Sequence, residues 1–538
     1  MRVVLAGYNI DSDVIEDLKR HAPPRRDVTP ETLSAAYARI SRDPRPADEL
    51  RAAARSEVER ARRSNRTIIF KMGHHSVAEH AVFNFDIIGV SRLALEDIER
   101  FRLGSYTEKS QRYIMLGDDF VIPREMVEAG AADLFVGIVR EQNALYHGLY
   151  ERLRPHVFAK HRELAANPKN HPVLEGWAKE DARYAVSLAT EGQVGLTINA
   201  RNLELLLRRF AAKRLAELRE LNEKIYRLAK DVAPSIILFT EATDFDSGAY
   251  EDVGSTAREI WRKESRAEGG RAARKARREE EQSEGGGPGR GLGKGEENRG
   301  RAEACGGDAG DGEQVRLVDF TPGGDEKILA ALLHATSSEP YQCCLATAAS
   351  LGPPARLELM KAAFRRMEFY DFPLREFEYA DLTFAAAVSA SCFAQLKRHR
   401  MATLTAQAYD PALGAAVPPS VEEIGAAGEL RGIIDRTNET HGLLREKVGP
   451  AADYVLTNAH RRRVLLKVNL RELYHISRLR EDPTAQWEIR AFARRMSELT
   501  KEVMPLASLL LGGKDRYPAL YEKLFGRPPR SSPPETLK

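Results

Sequence analysis

The sequence predicts an α+β protein made of two tandem copies of one domain, and three observations carry that expectation. The same order of elements occurs twice along the chain. A stretch nearly free of large apolar residues separates the two occurrences. In each occurrence, short alternating strand patterns sit among longer amphipathic helical text.

The chain has 538 residues, 43% of them apolar, more than one ordinary core organises. Each half opens with a short strand, Val3-Val4-Leu5 in one and Val315-Arg316-Leu317-Val318 in the other. Helical text follows, then an alternating strand, Phe83-Asn84-Phe85-Asp86-Ile87 or Leu382-Thr383-Phe384. Next comes a helix ending in a basic triplet, Arg100-Phe101-Arg102 or Arg398-His399-Arg400. Later each half carries a matching phrase, Asn199-Ala200-Arg201-Asn202-Leu203 or Asn469-Leu470-Arg471-Glu472-Leu473, followed by a long amphipathic helix. The expected domains are residues 1–260 and 315–525.

Between them, residues 261–314 lack the apolar side chains that offset ordering entropy, which predicts a disordered linker. Its basic cluster at Arg271–Arg278 offers a contact for RNA or an acidic partner, but the glutamates that follow offset it. Its glycines follow no strand, which argues against a dinucleotide fingerprint. The Pro/Ser-rich end, 526–538, reads as a flexible tail.

A net charge of +3 gives no global reason to expect nucleic acid or membrane binding. No apolar run approaches the roughly 18 residues of a membrane span, and the apolar start at Met1–Gly7 is too short for a signal core. A soluble cytoplasmic protein is expected. Four cysteines without C-x-x-C spacing argue against a disulfide framework or structural zinc.

The densest chemistry is Arg100 to Tyr113, R-F-R-L-G-S-Y-T-E-K-S-Q-R-Y. Arginine forks and serine hydroxyls suit a phosphate, and Glu108 among them suits a ribose or base edge; a solvated basic loop has the same composition. In Gly73-His74-His75-Ser76-Val77-Ala78-Glu79-His80, α-helical spacing would put His75 and Glu79 on one face, a pair that admits a metal; no further ligand motif supports one, and no metal is expected. Arg219 and Arg227 lie close to two helical turns apart.

Seven positions of the Arg100 segment (Arg100, Arg102, Ser105, Glu108, Ser110, Arg112 and Tyr113) resemble the R-H-R-x-x-S-x-N-E-x-S-x-R-Y signature of flavin-dependent thymidylate synthases (ThyX). Phe101 and Thr107 depart from it. Gly73-His74 with Glu79-His80, Tyr37-Ala38-Arg39-Ile40-Ser41 and Asn199-Ala200-Arg201 are similar to further phrases of that family. The second half keeps Gln395-Leu396-Lys397-Arg398-His399-Arg400, Asn469-Leu470-Arg471 and Ala485-Gln486-Trp487-Glu488-Ile489-Arg490, but has Ala406, Ala408 and Asp410 in place of the loop Glu, Ser and Arg.

The resemblance implies an antiparallel sheet with helices in each copy. It implies FAD as cofactor, NADPH as reductant, methylenetetrahydrofolate as one-carbon donor, and dUMP as the substrate converted to dTMP. By resemblance the dUMP residues are Arg100, Glu108, Ser110, Arg112, Arg201, Gln395, Arg398 and Arg471. The FAD residues are Ser41, His74, Ser76, Arg100, Arg102, Glu108, Arg398, His399 and Arg400. The uracil-activating arginine is placed at Arg227, whose counterpart in the second half is Glu498; Arg490 is an alternative. Because Asp97 holds the glutamine position of the first half, a working site is expected to pair the first half's loop with the second half's Gln395, Arg398, His399, Arg400 and Arg471. The reciprocal site is expected to be dead. Self-association into a dimer forming a pseudo-tetramer is expected. Alternatives are a non-catalytic or divergent flavin- or nucleotide-binding relative, a flavoenzyme acting on another pyrimidine, and an RNA-associated role through the linker.

Overall fold

The computed structural model describes residues 1–20, 29–39, 43–71, 74–283 and 315–531. It contains two four-stranded sheets. The first is made of β1 (Arg2–Tyr8), β2 (Val82–Ser91), β3 (Ser105–Glu108) and β4 (Glu191–Asn199) in the order β1-β2-β4-β3. The second, of β5 (Arg316–Phe320), β6 (Asp381–Ser389), β7 (Thr403–Ala406) and β8 (Arg461–Asn469), repeats that order as β5-β6-β8-β7. The short third strand runs antiparallel to the fourth in both, Ser105 opposite Thr197 and Thr403 opposite Lys467.

The local chemistry repeats as well. Ser91 and Ser389 each end a strand and cap the next helix, accepting from the amides of Ala94 and Cys392 at 3.0 Å. Asn199 and Asn469 do the same, accepting from Asn202 and Glu472 at 2.9 Å. Serine and asparagine fit there because their side-chain oxygens satisfy amides that the first helical turn leaves unpaired. In β6, Leu382, Phe384, Ala386 and Val388 alternate onto the buried face. The tandem α+β arrangement follows from this double set of strands, caps and helices.

Compaction cuts across the two halves. One unit holds Met1–Ala6, Asn84–Ile198 and Gly312–Lys538, and the other holds Gly7–Phe83 and Asn199–Asp311. Within the first unit the halves join through a reciprocal pair of bonds. The Leu188 amide donates to the Leu456 carbonyl at 2.7 Å, and the Asn458 amide donates to the Val186 carbonyl at 3.0 Å. Such an exchange between equivalent positions is the mark of a two-fold interface, here inside one chain. Two long helices, Ala132–Lys160 and Ala427–Val448, reinforce it. The buried Gln142 amide donates to Thr437 Oγ1 at 2.8 Å and to the Val455 carbonyl at 2.9 Å.

In the second unit, carboxylates fix the inward arginines. Asp11 takes Arg51 and Arg55, and Glu31 takes Arg62. The helix beginning at Asp244 runs to Ser283, so residues 261–283 of the predicted linker are helical. Alanine, arginine, lysine and glutamate are good helix formers, and that preference, not the shortage of apolar residues, sets the backbone there. The remainder of the predicted linker, 284–314, and the tail beyond 531 lie outside the described residues.

Candidate functional site

The pairing of β3 with β4 sets Glu108 at the end of a strand, and the Ala390–Leu396 helix delivers Lys397 and Arg398 to it. Arg398 Nη2 donates to Glu108 Oε2 at 2.8 Å. A carboxylate from one half thus meets a guanidinium from the other. Burial alone would raise the Glu108 pKa, but Arg92, Lys397 and Arg398 outweigh it and bring it to about 2. Lys397 is buried against Glu99 at 3.1 Å, and burial lowers its pKa. Arg400 donates to the Gly104 carbonyl. A pocket of about 360 Å³ opens here, lined by Glu99, Ser105, Tyr106, Thr107, Glu108, Arg398 and Arg400.

Farther along the loop, Ser110 Oγ accepts from the Arg112 amide at 3.2 Å, which turns the chain and aims Arg112 inward. Arg112 pairs with Glu180 and donates to the Thr484 carbonyl at 2.9 Å. Two arginines that the motifs did not single out join this group. Arg183 is 6% exposed, and its Nε and Nη2 have no hydrogen-bond acceptor among the described residues. Burial lowers its pKa, with Arg112 and Arg92 adding repulsion. Arg480 donates from Nε to His399 Nε2 at 3.0 Å and from Nη2 to the Gln395 carbonyl at 3.2 Å. Burial, then Arg398 and Arg112, bring the Arg480 pKa down to about 10. Gln395 is buried, and its Oε1 likewise finds no donor among the described residues.

Buried guanidinium and amide groups left without partners cost free energy in a closed core, so their collection in one place marks a site shaped for a polar ligand. A sequence signal existed for Arg183, a charge directly before the apolar run Tyr184-Ala185-Val186. Arg480 carried none, since it ends an amphipathic helix and looks like a surface residue.

His399, Glu472 and His475 bring potential ligand atoms within 4.8 Å of one another. Arg480 already donates to His399 Nε2, so a neutral His399 carries its proton on Nδ1, facing Glu472 Oε1 at 3.7 Å. That tautomer leaves no ring lone pair for a metal. Arg471 lies against Glu378 at 3.2 Å and the Pro373 carbonyl at 2.8 Å. Arg100 and Arg102 are exposed.

The mate of this site, related by the internal two-fold, is built differently. There Arg462 lies over the rings of Tyr409 at 4.4 Å and Phe393 at 4.6 Å. Its Nη1 donates to Glu96 Oε2 at 3.0 Å, while Tyr409 donates to Glu96 Oε1 at 2.8 Å. The strand registers equate Arg462 with Gly192 and Tyr409 with Gln111 in the first half. A buried side-chain network thus occupies one of the two related positions.

The family model described as thymidylate synthase complementing protein matches residues 26–235 and, separately, 316–506. The chain belongs to this family. The flavin-dependent thymidylate synthase of Geobacter sulfurreducens is 34% identical over 170 residues, spanning 31% of this chain and 65% of that protein. The UPF0159 protein Ta1429 of Thermoplasma acidophilum is 22% identical over 485 residues, 82% of this chain and 86% of its own length, so that match extends across both halves. A crystal structure of the flavin-dependent thymidylate synthase ThyX from Helicobacter pylori, complexed with FAD and dUMP, covers 44% of this chain and all of its own. That superposition is loose, with 17% identity and a TM-score of 0.27.

In this member of the thymidylate synthase complementing protein family, the predicted residues His74, Ser76, Arg201 and Arg227 belong to the second unit, and Arg490 and Glu498 to the first. His74 and Ser76 are exposed, and Arg201 pairs with Glu79. The His75–His80 turn is a 3-10 helix, in which residues three apart eclipse, so the shared face expected of His75 and Glu79 does not form. Arg227 is exposed on the Ala216–Val232 helix. Glu498 pairs with Arg495 on the surface, and Arg490 donates to the Pro483 carbonyl at 2.9 Å. Ser41 lies outside the described residues.

Proposed function

We propose that this protein is a flavin-dependent thymidylate synthase that converts dUMP to dTMP at one nucleotide site shared by its two halves. The observation that carries the reading is the contact of Glu108 with Arg398, which joins the loop kept in the first half to the arginine kept in the second. The orphaned donors of Arg183 and the orphaned Gln395 Oε1 fit a nucleotide, which offers phosphate oxygens to the first and a hydroxyl or imide to the second.

In this reading Ser110, Arg112, Arg183 and Arg398 hold the nucleotide, and Glu108 accepts from its sugar or base edge. FAD, when bound, supplies the hydride, after methylenetetrahydrofolate has given the one-carbon unit; NADPH reloads it. His399 and Arg400, with Arg102 and the second unit's Ser41, His74 and Ser76, are assigned to the flavin by resemblance. Arg201 and Arg471 remain assigned to the nucleotide on the same ground.

The uracil-activating role passes from Arg227 to Arg480. Arg480 is half-buried beside Arg398 and Arg112, where its charge is partly shielded from water, and His399 and the Gln395 carbonyl fix its plane. A guanidinium so placed stabilises the ring anion that forms when the imide nitrogen ionises, which makes carbon 5 nucleophilic. No cysteine nucleophile is required. Two chains associate into a four-domain assembly.

The test is rescue of a thymidine-requiring strain, with tritium release from carbon-5-labelled dUMP by the purified protein. Failure of both sinks the reading. A yellow protein that binds dUMP without releasing tritium supports a non-catalytic relative instead, a reading favoured by the buried Phe101 where the motif has histidine.

A further inference from the structure

The second unit contains a cationic cleft that the nucleotide reading does not use. It has a volume of about 400 Å³ and is lined by Arg39, Arg45, Arg60 and Arg63, with the hydroxyls of Ser64 and Thr67 beside them. These residues come from three places: the end of the Glu31–Arg39 helix, the turn around Arg45, and the Val58–Asn65 helix with the turn after it.

The fold treats its arginines unequally here. Those pointing inward each receive a carboxylate: Arg51 and Arg55 from Asp11, and Arg62 from Glu31. Arg60 has Glu57 at 2.9 Å. Asp43, the one acidic residue lining the cleft among the described residues, is held by Arg45 through contacts of 3.0 and 2.6 Å. Arg39, whose charge also bears on Asp43, and Arg63 face the same cleft with no side-chain hydrogen bond or ion pair among the described residues. With Arg60 offset by Glu57 and Arg45 by Asp43, Arg39 and Arg63 leave an excess of positive charge in one concavity, and a multivalent anion offsets it.

We propose that this cleft binds an oligoanion, a chain of two or more phosphate or carboxylate groups. Arg39 and Arg63 are its principal contacts, and Ser64 and Thr67 donate to its remaining oxygens. Planar forks suit both phosphate and carboxylate, and the volume is that of a small-molecule site and too great for a single ion. The inference uses none of the residues assigned to the nucleotide or the flavin, so it can fail or hold apart from that reading.

The experiment is isothermal titration of the full chain with tripolyphosphate and, separately, with a tetraglutamate peptide at low salt. The Arg39→Gln/Arg63→Gln double variant is compared with wild type, Arg112→Ala and the surface control Arg375→Gln. The expected result is saturable one-to-one binding of at least one probe, weakened at least about 30-fold in the double variant and unchanged in the control. Which probe binds distinguishes a phosphate chain from a carboxylate chain. Arg39 and Arg63 make no side-chain hydrogen bond or ion pair among the described residues, so the double variant should keep the wild-type melting temperature and flavin content. Absence of saturable binding, equal binding by the double variant, or loss only in Arg112→Ala overturns the inference. Joint loss of flavin and probe also overturns it, since the cleft then belongs to the flavin site.

Discussion

Replacement of Asp181 by asparagine should remove most of a pH dependence of stability that originates where the two halves meet. Asp181 ends the His171–Ala182 helix and accepts from Ser420 Oγ at 2.5 Å, a contact between the first half and the second. Enclosure raises its pKa from 3.8 to about 7, the Ser420 bond opposing the rise and Glu180 and Glu423 adding to it, while Arg183 also opposes it. A carboxyl with its folded pKa above its unfolded value takes up a proton on folding. Its penalty is therefore absent below pH 3.8, grows as pH rises to about 7, and is constant above. A shift of about 3 units at 1.36 kcal/mol each is at most about 4 kcal/mol, and the partial exposure of the residue lowers that figure. Urea unfolding followed by tryptophan fluorescence at pH 5, 6, 7 and 8 measures it. Trp177, on the same helix, reports locally. The advantage of Asp181→Asn over wild type should widen by about 2 to 3 kcal/mol between pH 5 and pH 8. Curves running parallel over that range would refute the assignment.

Three further outcomes are expected. Arg480→Met should cut tritium release from labelled dUMP by about 100-fold or more, with flavin content preserved and partial recovery in Arg480→Lys; full turnover in the methionine variant removes Arg480 from the chemistry. Arg398→Ala should weaken dUMP binding about 10- to 100-fold by equilibrium dialysis, because it loses a charge-assisted donor and leaves Glu108 with less compensation. Glu96→Ala should destabilise the chain by about 3 to 5 kcal/mol, since Arg462 then lies buried without its carboxylate, whereas Glu96→Leu combined with Arg462→Leu should cost far less in the same urea titration, because Arg92 keeps the charge of Glu108.

The parts of this fold that were legible in the sequence are those with local chemical causes. Ser91, Ser389, Asn199 and Asn469 mark strand-to-helix corners because each caps within three residues of itself. The duplicated motif text located Glu108, Ser110, Arg112, Arg398 and His399 for the same reason. The long helices Ala132–Lys160 and Ala427–Val448 were not read, because each buries a face against the other half and their sequences show that only once the partner is known. Arg183 and Arg480 were missed on the same ground. Their function comes from an enclosure contributed by distant segments, and no spacing rule within either segment encodes it. The 261–283 stretch was read from its shortage of apolar residues, when its helix-forming composition decided the backbone.

The mismatch between the two halves has a physical consequence beyond the loss of one site. At the kept site, position 192 is glycine, and a Cβ there would approach Leu95 Cδ1 to 2.7 Å, so a side chain at that position requires the Leu95 side chain to move. At the closed site, that arginine stacks between Tyr409 and Phe393 and reaches Glu96, a residue of the other half. The second position therefore carries a buried ion pair across the internal two-fold, while Arg183 at the first faces Glu180 and keeps Nε and Nη2 without a hydrogen-bond acceptor among the described residues. Each position alone is consistent with drift after duplication. On the function proposed above, they divide the labour, one of the two symmetric positions clamping the halves and the other binding the nucleotide. A chain organised this way should bind one dUMP, not two, and reopening the mate should cost stability before it yields a second equivalent.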